Sequence, residues 1–142
     1  MIKYEYFDDG KLLITKYIGE IDKETIKSYI HYIFTKSPCH NLEKLILDYR
    51  EAKMLFNPKA LLEIAQARKS GESGRKKNKS VFLVDTPMET ALILIISKMY
   101  NKDLNPADFC STLIGCIHIL SLDINEKELD RRLKGLKLEF IA

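Results

Sequence analysis

Two stretches of the chain are unbroken apolar runs ending in a carboxylate, Leu45-Ile46-Leu47-Asp48 and Val81-Phe82-Leu83-Val84-Asp85, and each is followed by a proline-opened segment, at Pro58 and Pro87. Strands of a parallel sheet are covered by helices on both faces and so read as continuous apolar runs. The pattern predicts parallel strands at 44–48 and 80–85, each leading into a helix. Upstream, 2–7 and 11–18 are rich in β-branched and aromatic residues and flank Asp8-Asp9-Gly10. Gly10 there supplies the positive φ of a tight turn, so the chain is expected to open with an antiparallel hairpin.

Helical periodicity fills the intervals. After Gly19, Asp22 can cap a first helix with Ile26, Tyr29, Ile30, Ile33 and Phe34 on one stripe and Lys23, Glu24, Lys27 and Ser28 opposite, stopped by Pro38. Asn57-Pro58 is a cap followed by a first-turn residue. It opens a second helix to about Lys69, with Leu61, Ile64 and Ala65 inward and Ser70-Gly71 as its stop. Thr86-Pro87-Met88-Glu89 has the capping-box spacing and opens a third helix to about Tyr100. Asn105-Pro106 then breaks the chain before a short strand at 109–112. Residues 113–120 form a buried short helix or extend that strand; periodicity cannot decide over so short a run, and a helix is favoured. Asn125 with Glu128 caps a last helix carrying Leu129, Leu133 and Leu136, and the tail 138–142 is left unassigned.

The order ββαβαβαβαα, without a separating linker, predicts an α/β fold in a single domain over residues 1–142. Its expected form is a mixed five-stranded sheet with an N-terminal antiparallel hairpin and helices packed on its faces. The chain resembles the SpoIIAA-like, or STAS-like, group of small bacterial domains, which includes uncharacterised members. The resemblance lies in the hairpin ending Ile18-Gly19, in Leu45-Ile46-Leu47-Asp48 before the second helix and in Phe82-Leu83-Val84-Asp85 before the third. It continues in Phe109-Cys110-Ser111-Thr112 ahead of an apolar helix closed by Leu120-Ser121-Leu122-Asp123.

The resemblance implies a regulatory domain that works by protein contact, and anti-sigma factor antagonists of the group act through a phosphorylated Ser or Thr just before the second helix. Here no Ser or Thr occurs from Leu45 through Lys69. Without a hydroxyl to carry the phosphate charge, that switch cannot be carried over. The fold is also shared by lipid-carrying relatives with a pocket beside the sheet.

At 142 residues, 46% hydrophobic and 30% charged, the chain is suited to one buried core and not to disorder. Its N-terminus lacks a basic region followed by a long apolar stretch, and its longest apolar run, 91–96, is far short of the ~20 residues that span a bilayer. A cytoplasmic protein without a transmembrane segment is expected. Cys39, Cys110 and Cys116 are an odd set without a Cys-x-x-Cys pair, so reduced thiols are expected and no disulfide. The formal charge of +3 is concentrated between Arg68 and Lys79, where Arg68, Lys69, Arg75, Lys76, Lys77 and Lys79 oppose Glu72 alone. With Gly71, Ser73 and Gly74 inside it, no aromatic residue for base stacking and no phosphate-cradling spacing, this reads as a solvated flexible loop, and no nucleic-acid partner is expected.

Candidate chemistry is sparse. Asp48 and Asp85 lie at neighbouring strand ends, where such sheets bind ligands, but no further carboxylate or His is placed to complete a site. His31, His40 and His118 are scattered, and Cys110, Cys116 and His118 lack zinc spacing. No catalytic residue, metal or cofactor is assigned. The third helix is the sharpest feature: Met88, Ala91, Leu92, Ile95 and Met99 form a core-facing stripe, while Ile93, Leu94, Ile96 and Tyr100 add a second one. A helix apolar all round needs cover on more than one side. The loop Met54-Leu55-Phe56 and the C-terminal helices can provide it. The functional alternatives are a partner protein, above all a second copy in a homodimer, and a hydrophobic small molecule or lipid carried or sensed beside that helix. Candidate contact residues are Tyr49, Arg50, Met54, Leu55, Phe56, Ile93, Leu94, Ile96 and Tyr100.

Overall fold

The opening hairpin pairs β1 (Ile2–Phe7) with β2 (Leu12–Asp22) in antiparallel register from Ile2↔Tyr17 to Phe7↔Leu12. Its turn uses three consecutive left-handed residues, Asp8 (φ 56°), Asp9 (φ 57°) and Gly10 (φ 83°), so glycine shares the positive φ with two aspartates, which tolerate that region better than most residues. The computed structural model describes residues 1–36, 41–55, 57–72, 77–99 and 106–142. The chain continues through α1 (Lys23–Lys36), β3 (Lys44–Leu55), α2 (Pro58–Glu72), β4 (Lys79–Leu83), α3 (Pro87–Met99), β5 (Ala107–Cys110), α4 (Leu113–Leu120), α5 (Glu126–Lys134) and β6 (Leu138–Phe140). The strands form one mixed sheet in the order β5-β4-β3-β2-β1-β6, in which the pairings β2 to β3, β3 to β4 and β4 to β5 are parallel.

Two cores follow from the side-chain alternation of the strands. One face presents Leu13, Tyr17, Leu45, Leu47, Phe82 and Val84 to Ile26, Ile30, Ile33 and Phe34 of α1, Leu61 and Ile64 of α2 and Ile93 of α3. The other presents Leu12, Ile14, Ile46, Val81 and Leu83 to Leu113, Cys116 and Leu120 of α4 and to Leu129 and Leu133 of α5. On the first face buried hydroxyls are paired, with Thr15 Oγ1 and Tyr29 Oη 2.7 Å apart and Tyr4 Oη donating to Tyr32 Oη at 2.9 Å.

Caps read from sequence are present: Thr25 N donates to Asp22 Oδ1 (2.8 Å), Ala60 N to Asn57 Oδ1 (3.0 Å) and Glu128 N to Asn125 Oδ1 (2.8 Å). Residues 113–120 are helical, with Thr112 as N-cap.

Several expectations are corrected. The sheet has six strands, not five, because the tail pairs with β1 from Ile2↔Phe140 to Tyr4↔Leu138. Its first two residues are exposed and its last half-buried, so the segment carries no buried face to read as a strand. β2 does not end at Ile18; it continues through Gly19 (φ 77°) to Asp22. β3 likewise does not stop at Asp48 but runs to Leu55, since ladder pairing from Ile18↔Glu51 to Asp22↔Leu55 holds polar residues in strand. Met54 and Leu55 are therefore strand and not loop. α2 passes its Ser70-Gly71 stop to reach Glu72. Nor does the basic segment begin as a solvated loop. Arg68 is buried, donates to Asn78 Oδ1 (3.3 Å) and Ser80 Oγ (3.0 Å), and lies over the Phe34 ring. Pro38, Cys39, His40, Phe56, Gly74, Arg75, Lys76, Tyr100 and Asn105 fall outside the described residues.

Candidate functional site

The carboxyl end of β3 is shaped by a bulge. Lys16 pairs with Asp48, and the next pairing is Ile18 with Glu51, so Tyr49 and Arg50 together oppose Tyr17. Such an extra residue re-aims side chains and shifts their alternation. Accordingly Leu45, Leu47 and Tyr49 face the α1–α3 core, and beyond the bulge Ala52 and Met54 do. Tyr49 is buried there, stacked on Tyr17 with ring centroids 4.2 Å apart and planes 9° apart. Arg50 turns back along the strand. Its backbone N and Nε donate to Asp48 Oδ1, both at 3.0 Å, and Nη2 donates to Oδ2 at 2.9 Å.

Asp48 is 0% exposed, and the guanidinium fork engages both of its oxygens. A buried carboxylate is tolerable when held this way, because the bidentate ion pair offsets its desolvation. The same pair raises the Arg50 pKa above its ordinary value, with a smaller contribution from the charge of Asp85. Asp48 thus anchors Arg50 and is not open to a substrate proton. Asp85 is exposed, so the two strand-end acids differ in setting, Asp48 buried in its ion pair and Asp85 open to solvent. Among the described residues no three His, Cys, Asp or Glu side chains converge to hold a metal ion.

Near this rim, Cys110 at the end of β5 and Cys116 in α4 bring their sulfurs to 3.2 Å. On the opposite side of the sheet α3 takes a phase that its sequence does not determine. Ile93 is 0% exposed in the core, whereas Ala91, Leu94, Ile95 and Lys98 are exposed at the i, i+3, i+4, i+7 spacing of one helix face. This reverses the expected core stripe at Ala91 and Ile95. Both stripes are apolar, and burial of Ile93 in the core of this sheet face decides between them. Of the sequence candidates, Tyr49, Met54 and Ile93 are core residues, Leu55 is exposed at the end of β3, Arg50 is half-buried on the other face and Leu94 is on the outer face of α3. Nothing is described of the side chain of Ile96.

No family model matches the sequence, and no curated protein matches it. A solved structure does: a protein of the DUF3478 family from Shewanella loihica PV-4, described as having a SpoIIAA-like fold, matches with a TM-score of 0.52 and 12% identity over 84% of this chain and 92% of that one. This chain has a SpoIIAA-like fold. Similarity also extends to the anti-sigma factor antagonist SpoIIAA in its unphosphorylated form (TM-score 0.45, 12% identity, 95% of this chain and 99% of that one). For the phosphorylated form of the Bacillus cell fate determinant SpoIIAA the values are 0.46, 10%, 92% and 98%. In the SpoIIAA-like chain described here the stretch between Asp48 and α2 is mostly strand. No helix among its described residues is long and apolar enough to cross a membrane. Reading by sequence missed the Asp48–Arg50 clamp and the thiol pair. The spacing of Cys110 and Cys116 across a strand end and a helix start was the one signal for the latter.

Proposed function

We propose that this chain is a non-catalytic, cytosolic regulatory domain that works by protein contact, pairing with a second copy of itself through α3. The observation that carries this reading is the outer stripe of α3, where Leu94 is 37% and Ile95 40% exposed beside the small Ala91, with Lys98 at its end. Full burial of such a side chain stabilises by about 1.5–3 kcal/mol, so covering the exposed part of each contributes roughly 1 kcal/mol. A twofold contact sets the same patch against itself and counts each residue twice. Ala91 allows close approach of the two helices, and Lys98 stays at the wet rim. The fold supports the regulatory part of the reading by likeness alone, since fold does not fix function.

Sedimentation equilibrium tests it. The wild type is expected to be a dimer at high micromolar concentration, and Ile95→Glu, which sets two carboxylates against each other across the twofold, a folded monomer. A wild type that stays monomeric over that range overturns the reading.

A further inference from the structure

We propose that Cys110 and Cys116 form an oxidisable dithiol that exchanges with low-molecular-weight disulfides and closes to an intramolecular bond clamping β5 to α4. This goes beyond the protein-contact reading and stands independently of it. The two sulfurs are 3.2 Å apart, so closure to a disulfide needs a further approach of only about 1 Å.

The backbone is arranged for that approach. A Cβ on Gly115 would lie 2.9 Å from Cys110 Cβ and 3.3 Å from its Sγ, so the absent side chain leaves the space that the Cys110 sulfur uses. Among the described residues β5 is an edge strand of four residues, paired with β4 alone, which lets its end follow the sulfur.

Access is asymmetric. Cys110 is half-buried and reachable, while Cys116 is 0% exposed in the α4 core. The contact between the two sulfurs lowers the Cys110 pKa, helped by the Arg50 charge, while the same contact and burial raise that of Cys116. Cys110 is therefore the attacking thiolate and Cys116 the resolving thiol.

The exchange balances in two steps. The Cys110 thiolate attacks one sulfur of the external disulfide, forming a mixed disulfide and releasing one thiolate. Cys116 then gives its proton to that thiolate or to water and attacks the Cys110 sulfur, expelling the second external thiolate. The protein loses two electrons and two protons, and the small disulfide is reduced to two thiols.

The test incubates the intact reduced protein with excess glutathione disulfide, followed by alkylation, intact mass and peptide mapping. The expected result is a loss of about 2 Da with Cys110 joined to Cys116, reversed by dithiothreitol, while Cys39 remains alkylatable or carries glutathione by itself. Cys116→Ser should trap one glutathione on Cys110, and Cys110→Ser should leave Cys116 unmodified, each with an unchanged far-UV circular dichroism spectrum. In the reduced protein Cys110 should alkylate about tenfold or more faster than Cys116. Persistence of both free thiols, or cross-linking through Cys39 instead, overturns the proposal.

Discussion

Arg50→Ala tests the clamp at the β3 bulge most directly. It strands the Asp48 carboxylate, which is 0% exposed and loses its Nε and Nη2 donors while keeping the backbone N–H of residue 50. Removing one partner of a buried ion pair costs about 3–5 kcal/mol. The Arg50 side chain is 30% exposed, so screening and water access reduce the loss to about 2–3 kcal/mol. With an unfolding entropy of roughly 2.1 cal/mol/K per residue, a chain of 142 residues should lose about 7–10 °C in Tm. Urea unfolding and calorimetry of the wild type, Arg50→Ala, Asp48→Asn and the double variant close a cycle, which should give a coupling of about 1–2 kcal/mol. Arg50→Lys should recover only part of the loss, because an ammonium cannot reproduce the two-pronged contact. If Arg50→Ala unfolds within about 0.5 kcal/mol of the wild type, typical of an ordinary surface position, the argument that Asp48 depends on this clamp is wrong.

Other outcomes are equally specific. Gly19→Ala should destabilise by about 1 kcal/mol in urea unfolding through backbone strain alone, since Gly19 has φ 77° and nothing lies within 4 Å of the added Cβ; Gly19→Asn should recover part of it. Thr112→Ala should cost about 1 kcal/mol, because Gly115 N loses the hydroxyl that caps α4 at 3.0 Å, and Thr112→Ser should restore it. Arg131 and then Arg132 hold the Glu128 carboxyl at about 2, below the ordinary 4.5. A lowered carboxylate pKa contributes stability that is present above 4.5 and lost as pH falls from there towards 2. Thermal melts of Glu128→Gln should accordingly show a shallower loss of stability over that interval than those of the wild type.

The sequence by itself determined what depends on neighbours along the chain. Asp22, Asn57 and Asn125 cap their helices, Asp8-Asp9-Gly10 turns the hairpin, and Leu45 to Leu47 and Val81 to Leu83 are buried strand, because cap geometry and continuous apolar runs are local signals. Tertiary structure decided whatever had two locally equivalent solutions or needed a distant partner. α3 is apolar on both stripes, so its phase was set by contact with the sheet, which buried Ile93 and turned Ile95 outward. The tail became β6 only by pairing with β1, more than a hundred residues away in sequence. Arg68, one of a run of cations in sequence, was drawn inside by Phe34, Asn78 and Ser80. The bulge at Tyr49 and Arg50 is a mismatch of register between two strands, and the meeting of Cys110 with Cys116 depends on a strand end packing against a helix start where Gly115 carries no side chain. Neither leaves a periodic mark in the residues that make it, because register and close approach are properties of a pair of elements and not of one.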